Sequence, residues 1–207
     1  MSPEDNQTAA DRLAEWQALD DRVRAAVSGY GVSTREQIAG LSGVEMLRAL
    51  IDGRLPAPPI TKTLDFTLVL AEAGRVAFQG RPSLDHYNPM GTVHGGWFAT
   101  LLDSALGCVV QSMLPAGKAY TTAELKINIV RPLTDKVPLV RAEATIVHSG
   151  GRMATAEGRL TGSDGKLYAH GSTTCFLLDH AEAPTLTSFA APRGGVSALG
   201  TARRALT

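Results

Sequence analysis

Cysteine is nearly absent from this chain of 207 residues, with Cys108 and Cys175 the only two. Two distant thiols make neither a disulfide framework nor a metal-ligand spacing, so both read as small core residues. The five histidines, His86, His94, His148, His170 and His180, are equally scattered and give no zinc pattern. Net charge is missing too, because 20 Lys plus Arg balance 20 Asp plus Glu. Whole-chain electrostatics therefore supply no attraction to nucleic acid or to an anionic membrane. The opening Met-Ser-Pro-Glu-Asp-Asn has no basic flank and no apolar signal core, which argues against secretion. Trp97 to Leu114 is apolar enough to raise a membrane span, but Asp103 near its centre costs roughly 2.5–3.5 kcal/mol in lipid. The expectation is a soluble, cytoplasmic protein, one domain with extensions, whose 44% hydrophobic content suffices for a real core.

What is present falls into three parts, residues 1–55, 56–180 and 181–207. In the first, Leu13, Trp16, Val23 and Val27 give an amphipathic surface helix. Ser33 with Glu36, and Ser42 with Glu45, have capping-box spacing, and Val44, Leu47 and Ile51 form the apolar face of a second helix ending at Gly53. Arg54 to Ile60, rich in proline, reads as a stiff extended connector. Strand signals follow: Leu64 to Leu70 and Arg75 to Gln79 as a hairpin, then Ala119 to Val130, Leu139 to His148, Met153 to Thr161 and Leu167 to Leu178. The turns between the later strands imply an antiparallel sheet. With one long helix between its second and third strands, the pattern is α+β, a sheet that wraps a helix. Ala181 to Thr207, rich in small and polar residues without a period, is expected to be a flexible tail.

The long helix is the centre of the argument. Phe98, Leu101, Leu102, Ala105, Leu106, Val109 and Val110 leave no room for alternation, so it is buried on most sides. Gly96, Thr100, Asp103, Gly107 and Gln111 recur at steps of three and four and form one narrow polar stripe. A carboxylate in such a place, with no Lys or Arg within a turn, is hydrogen-bonded, raised in pKa, or set in a site that uses it. Before the helix stands Val93-His94-Gly95-Gly96. Its free backbone N–H groups suit an oxyanion, and the same glycines also suit a simple tight turn.

Asn88, then His94-Gly95-Gly96, then Asp103 nine residues after the histidine, and the strand from Glu124 to Pro132 carry a resemblance. In these residues the chain resembles the PaaI-type acyl-CoA thioesterases of the hotdog-fold superfamily, which includes the 4-hydroxybenzoyl-CoA thioesterase-like proteins. The match is dense from about Asp85 to Pro132 and looser to Leu178. It is absent from the first sixty residues and the last thirty.

The resemblance implies hydrolysis of an acyl-CoA thioester to an acid and free CoA, with no metal or redox cofactor. Asp103 would serve as base or nucleophile, and the Gly95 N–H with the Asn88 amide would polarise the carbonyl. His94 would bond water or substrate sulfur, or merely cap the helix. Thr122 would carry a water-orienting hydroxyl, with Thr121 on the other face of the strand, beside Ala123, Leu125 and Ile127 and towards the helix. Gly96, Thr121 and Arg131 are the remaining substrate-binding candidates, and Lys126, Arg141, Arg152 and Arg159 are further candidates for the CoA phosphates. A homodimer or homotetramer with shared sites is implied. Two rivals use the same fold, an acyl-thioester dehydratase or hydratase and a non-catalytic acyl-CoA sensor. The loop Val-His-Gly-Gly disfavours the first, and a carboxylate retained in the helix disfavours the second.

Overall fold

The computed structural model describes residues 8–179. Helix α1 (Ala9–Ala26) starts at Thr8, whose hydroxyl accepts from Asp11 N at 3.1 Å. Short α2 (Arg35–Ile38) and α3 (Gly43–Ile51) follow, and α4 (Pro59–Thr63) leads into the hairpin β1 (Phe66–Glu72) and β2 (Arg75–Gly80). The long α5 (Gly95–Ser112) precedes β3 (Lys118–Ile129), β4 (Val140–Ser149), β5 (Met153–Gly162) and β6 (Leu167–Asp179). All six strands form one antiparallel sheet in the order β1-β2-β4-β5-β6-β3. The architecture is α+β, a hotdog fold with helices added before it.

The sheet curls round α5 because its inward positions are small. Ala142 and Ala144 on β4, Ala154 and Ala156 on β5 and Ala169 on β6 are all buried against the helix, which lets it sit close. Leu101, Leu102 and Leu106 are fully enclosed, each worth about 1.5–3 kcal/mol relative to exposure. One edge of the sheet is β3, paired with β6 on one side only.

The leading helices lie on the sheet and on α5. Val23 of α1 packs on Val69 and Ala77, on the face of the hairpin away from α5. Trp16 stacks under the Arg141 guanidinium, 4.7 Å away. Gln79 donates its amide to the Trp16 carbonyl at 3.1 Å and accepts from Arg141 at 3.2 Å. Fully buried Asp20 accepts from Arg24 at 2.8 Å and pairs with Arg81 at 2.6 Å, which ties α1 to the end of β2. Helix α3 buries Leu47 in the main core, and its Gly43 N–H donates to the Leu114 carbonyl just past α5, at 2.9 Å.

Three local expectations change. The capping box of α2 is Thr34 with Gln37, one residue later than Ser33 with Glu36, whereas Ser42 with Glu45 stands. The proline-rich connector ends in α4, with Pro59 at its first position, where a missing N–H costs nothing. The third change falls on β3. A bulge between Thr122 and Glu124 makes Ala123 an extra residue, so the alternation changes phase there. Tyr120 and Thr122 share the helix-facing side with Leu125 and Ile127, and Thr121, opposite exposed Phe176, faces outward. The tail from Ala181 lies outside the described residues.

Candidate active site

The turn before α5 is built from local hydrogen bonds. Asn88 Oδ1 accepts from Met90 N at 2.8 Å and Thr92 N at 3.3 Å, and its Nδ2 donates to Thr92 Oγ1 at 3.1 Å. Gly91 closes this turn at φ +81°, a left-handed conformation that suits glycine. His94 N donates to the His86 carbonyl at 2.7 Å, and buried His86 stacks on Trp97 at 5.5 Å, which fixes where the helix begins.

His94 is the N-cap of α5. Its Nδ1 accepts from Gly96 N at 2.9 Å, so the ring proton sits on Nε2, which stays free to donate. Of the first helical N–H groups, that of Gly95 has no acceptor among the described residues. A Cβ at Gly95 would lie 3.3 Å from Ile129 Cδ1, so glycine here also lets β3 approach. Asn88, Thr92, Gly95, Phe98, Ile129 and Arg131 line a cleft of about 350 Å³. At its rim Arg131 is exposed, with Nε 3.4 Å from the Leu167 carbonyl.

Asp103 lies eight residues along the helix from Gly95, about 12 Å at 1.5 Å per residue. Its Oδ1 is buried and has no hydrogen-bond partner among the described residues. Burial raises the carboxyl's pKa above its ordinary value, and interaction with the Thr122 hydroxyl draws it partly back. Thr122 faces the helix yet is exposed, because β3 is an edge strand with no neighbouring strand beyond it among the described residues. Tyr120 and Gly107 continue the same patch one turn further along.

The sequence-read residues thus fall into two groups. Asn88, His94, Gly95, Gly96 and Arg131 gather at the helix mouth, and Asp103 and Thr122 at its middle. Thr121 joins neither, since the bulge turns it to the outer face. Among the other basic residues, Arg141 is held over Trp16. Lys126 and Arg159 line a larger depression of about 650 Å³ with Glu143, Glu157 and His170 on that outer face, away from Asp103. Tyr120 was not among the sequence candidates; the glycine at position 107 of the polar stripe was the available signal. Cys108 and Cys175 are free thiols packed beside this patch, and burial pushes Cys108 up to about 12. No helix among the described residues is long and apolar enough to cross a membrane.

A sheet wrapped round one helix, with a carboxylate at mid-helix and a glycine-bearing turn at its start, resembles the hotdog thioesterases of the PaaI type. Residues 90–182 match the model of the thioesterase superfamily. Among solved structures, a putative thioesterase and phenylacetic acid degradation-related protein of Ralstonia eutropha JMP134 is 28% identical, with TM-score 0.58. That alignment covers 66% of this chain and 99% of the other. A thioesterase family protein of Silicibacter pomeroyi is 25% identical, TM-score 0.54, over 58% and 90% of the two chains. A mutant of the phenylacetic acid degradation protein PaaI of Thermus thermophilus is 27% identical, TM-score 0.51, over 57% and 97%. No curated protein matches the chain in sequence.

Proposed function

We propose that the protein hydrolyses acyl-CoA thioesters at a site shared between two copies of the chain, with Asp103 as general base. The observation that carries this is the buried, unpartnered Oδ1 of Asp103, an acceptor left open on a rigid helix beside the Thr122 hydroxyl. A carboxylate with a raised pKa is a stronger base than an exposed one, and the threonine offers a second hydrogen bond to a water held there. The water attacks the thioester carbon and gives its proton to Asp103. The carbonyl oxygen takes up the negative charge, the C–S bond breaks, and the CoA thiolate receives the proton. The products are a carboxylic acid and CoA.

The growing oxyanion needs donors within about 3 Å. The free Gly95 N–H and the Asn88 amide supply them, with His94 Nε2 beside them, but the Gly95 donor of the same chain lies about 12 Å along the helix from Asp103. A second copy resolves this. Edge strand β3 leaves Ile129 and Val130 half exposed, and antiparallel pairing of two such edges about a two-fold axis midway between Thr122 and Ile129 would bring the middle of one helix towards the mouth of the other. Each Asp103 then faces a partner's turn, and Arg131 at the cleft rim meets the CoA phosphates. The domain comprises residues 56–180, residues 1–55 are its extension, and the cytoplasm is the proposed location.

A panel of acyl-CoAs read by release of free thiol tests the reading. Turnover of at least one member that Asp103→Asn abolishes is expected. Hydration or dehydration of an unsaturated or hydroxyacyl-CoA without thiol release would replace it with the hydratase reading, and tight binding without turnover with the sensor reading.

A further inference from the structure

One tyrosine near Asp103 has no part in the steps above. A Cβ at Gly107 would collide with Tyr120 Oη and lie 3.0 Å from two carbons of its ring, so the phenol occupies the notch that this glycine leaves in α5. Position 107 is one turn beyond Asp103, roughly 6 Å along the helix. On β3, Tyr120 stands two residues from Thr122 on the same face, also roughly 6–7 Å away. Behind this patch the helix is closed by fully buried Leu102 and Leu106. An acyl group whose carbonyl is at Asp103, and which runs towards the C-terminal half of the helix, therefore ends against the phenol ring.

The Tyr120 hydroxyl makes no hydrogen bond to any described residue, and the side chain is half-buried at the edge of the core. Burial keeps the phenol neutral well beyond its ordinary range, with Cys108, Cys175 and Asp103 as the titratable groups around it. Among the described residues this proton donor has no acceptor.

Building on the thioesterase reading of Asp103, we propose that Tyr120 is the specificity-determining end wall of the acyl subsite. Its ring admits a short acyl or single-ring aryl group, and its hydroxyl donates to an acceptor at the far end of that group. Each methylene beyond the wall must displace the ring from the Gly107 notch. An acyl group without the terminal acceptor leaves the hydroxyl unpaired.

The test is kcat/KM for a ladder of straight-chain acyl-CoAs, and for aryl-CoAs with and without a ring hydroxyl, on the parent, Tyr120→Ala, Tyr120→Phe and Asp103→Asn. Tyr120→Ala should raise the long-to-short ratio by about tenfold or more, as expected for space in an apolar pocket. Tyr120→Phe should keep the chain-length profile and lose about three- to tenfold of the preference for the hydroxyl-bearing aryl substrate. Should Tyr120→Ala fail to fold, Tyr120→Leu carries the same expectation, and a ratio of substrates is insensitive to the fraction folded. An unchanged length profile in the folded small-residue variant overturns the wall, and an unchanged aryl preference in Tyr120→Phe overturns the hydrogen bond. A parent that hydrolyses none of the panel overturns the thioesterase reading and the wall together. Full activity in Asp103→Asn removes the base but leaves the Tyr120 ratios to be judged by themselves.

Discussion

The two ends of the polar stripe on α5 are built on opposite terms. At the mouth, Asn88 Oδ1 and one Nδ2 hydrogen are used within its own turn, which leaves the second Nδ2 hydrogen open, His94 caps Gly96, and the Gly95 N–H has no acceptor among the described residues. At the middle, Asp103 has a buried oxygen without a partner among the described residues, and the Thr122 and Tyr120 hydroxyls beside it lie on a strand at the edge of the described sheet. In the proposed reaction the first end supplies the donors and the second the base, and a second copy of the chain brings the two together. Neither performs the chemistry alone, because a base without a polarised carbonyl and an oxyanion site without a base each lower only part of the barrier.

The hardest test of this division is Asp103→Asn. The amide has nearly the same shape but accepts no proton, so kcat/KM for the best acyl-CoA should fall by about 10²–10⁴, measured by thiol release. Burial raises the Asp103 pKa in the folded state, so this group favours folding most at low pH and loses that contribution as pH rises through the raised value. The uncharged variant should therefore melt no lower than the parent at neutral pH. A loss of less than about threefold in kcat/KM, well short of that range, would end the assignment.

Asn88→Ala attacks the other end, with an expected loss of about 10²–10³ for one oxyanion donor. If the ends act across two chains, mixing Asn88→Ala with Asp103→Asn should restore activity in the mixed dimers, since one site per dimer regains both groups. Verified subunit exchange with no recovery would show that each chain works alone.

A chain beginning at Leu55 keeps the helix mouth and Asp103 but uncovers the outer face of β1 and β2 and the surface under Leu47, beside Gln111. Every lost 1 kcal/mol should lower the melting temperature by about 2–4 °C in a protein of this size, while Asp103-dependent hydrolysis survives. An equally stable shortened enzyme would mean that the helices serve some other partner.

The smallest effect is the one most diagnostic of the middle. In the proposed mechanism the base form of Asp103 is the active one, so kcat/KM should rise with pH along a limb displaced above the ordinary carboxylate range. Thr122→Ala removes the interaction that holds this pKa down and should move the limb further up, with under about tenfold loss on the plateau. A limb that stays in place or moves down would detach Thr122 from the carboxylate.

Period and punctuation were enough to read much of this molecule from its sequence. The six strands, the buried helix and its polar stripe follow from alternation, from a run without alternation and from glycine-bearing turns, all of which are local properties. Asp103 stood out because a lone carboxylate in such a run needs a reason. Tertiary structure alone decided which threonine faces it. The extra residue at Ala123 arises from pairing with β6, where Thr122 meets Cys175 and Glu124 meets Thr174, and an unbroken alternation cannot show a bulge imposed by another strand. The phenol of Tyr120 in the notch of Gly107 and the seat of α1 on the outer face are likewise matters of packing. Each depends on which surfaces the chain brings together after the strands pair, and such contacts between residues far apart in sequence leave no mark on local periodicity.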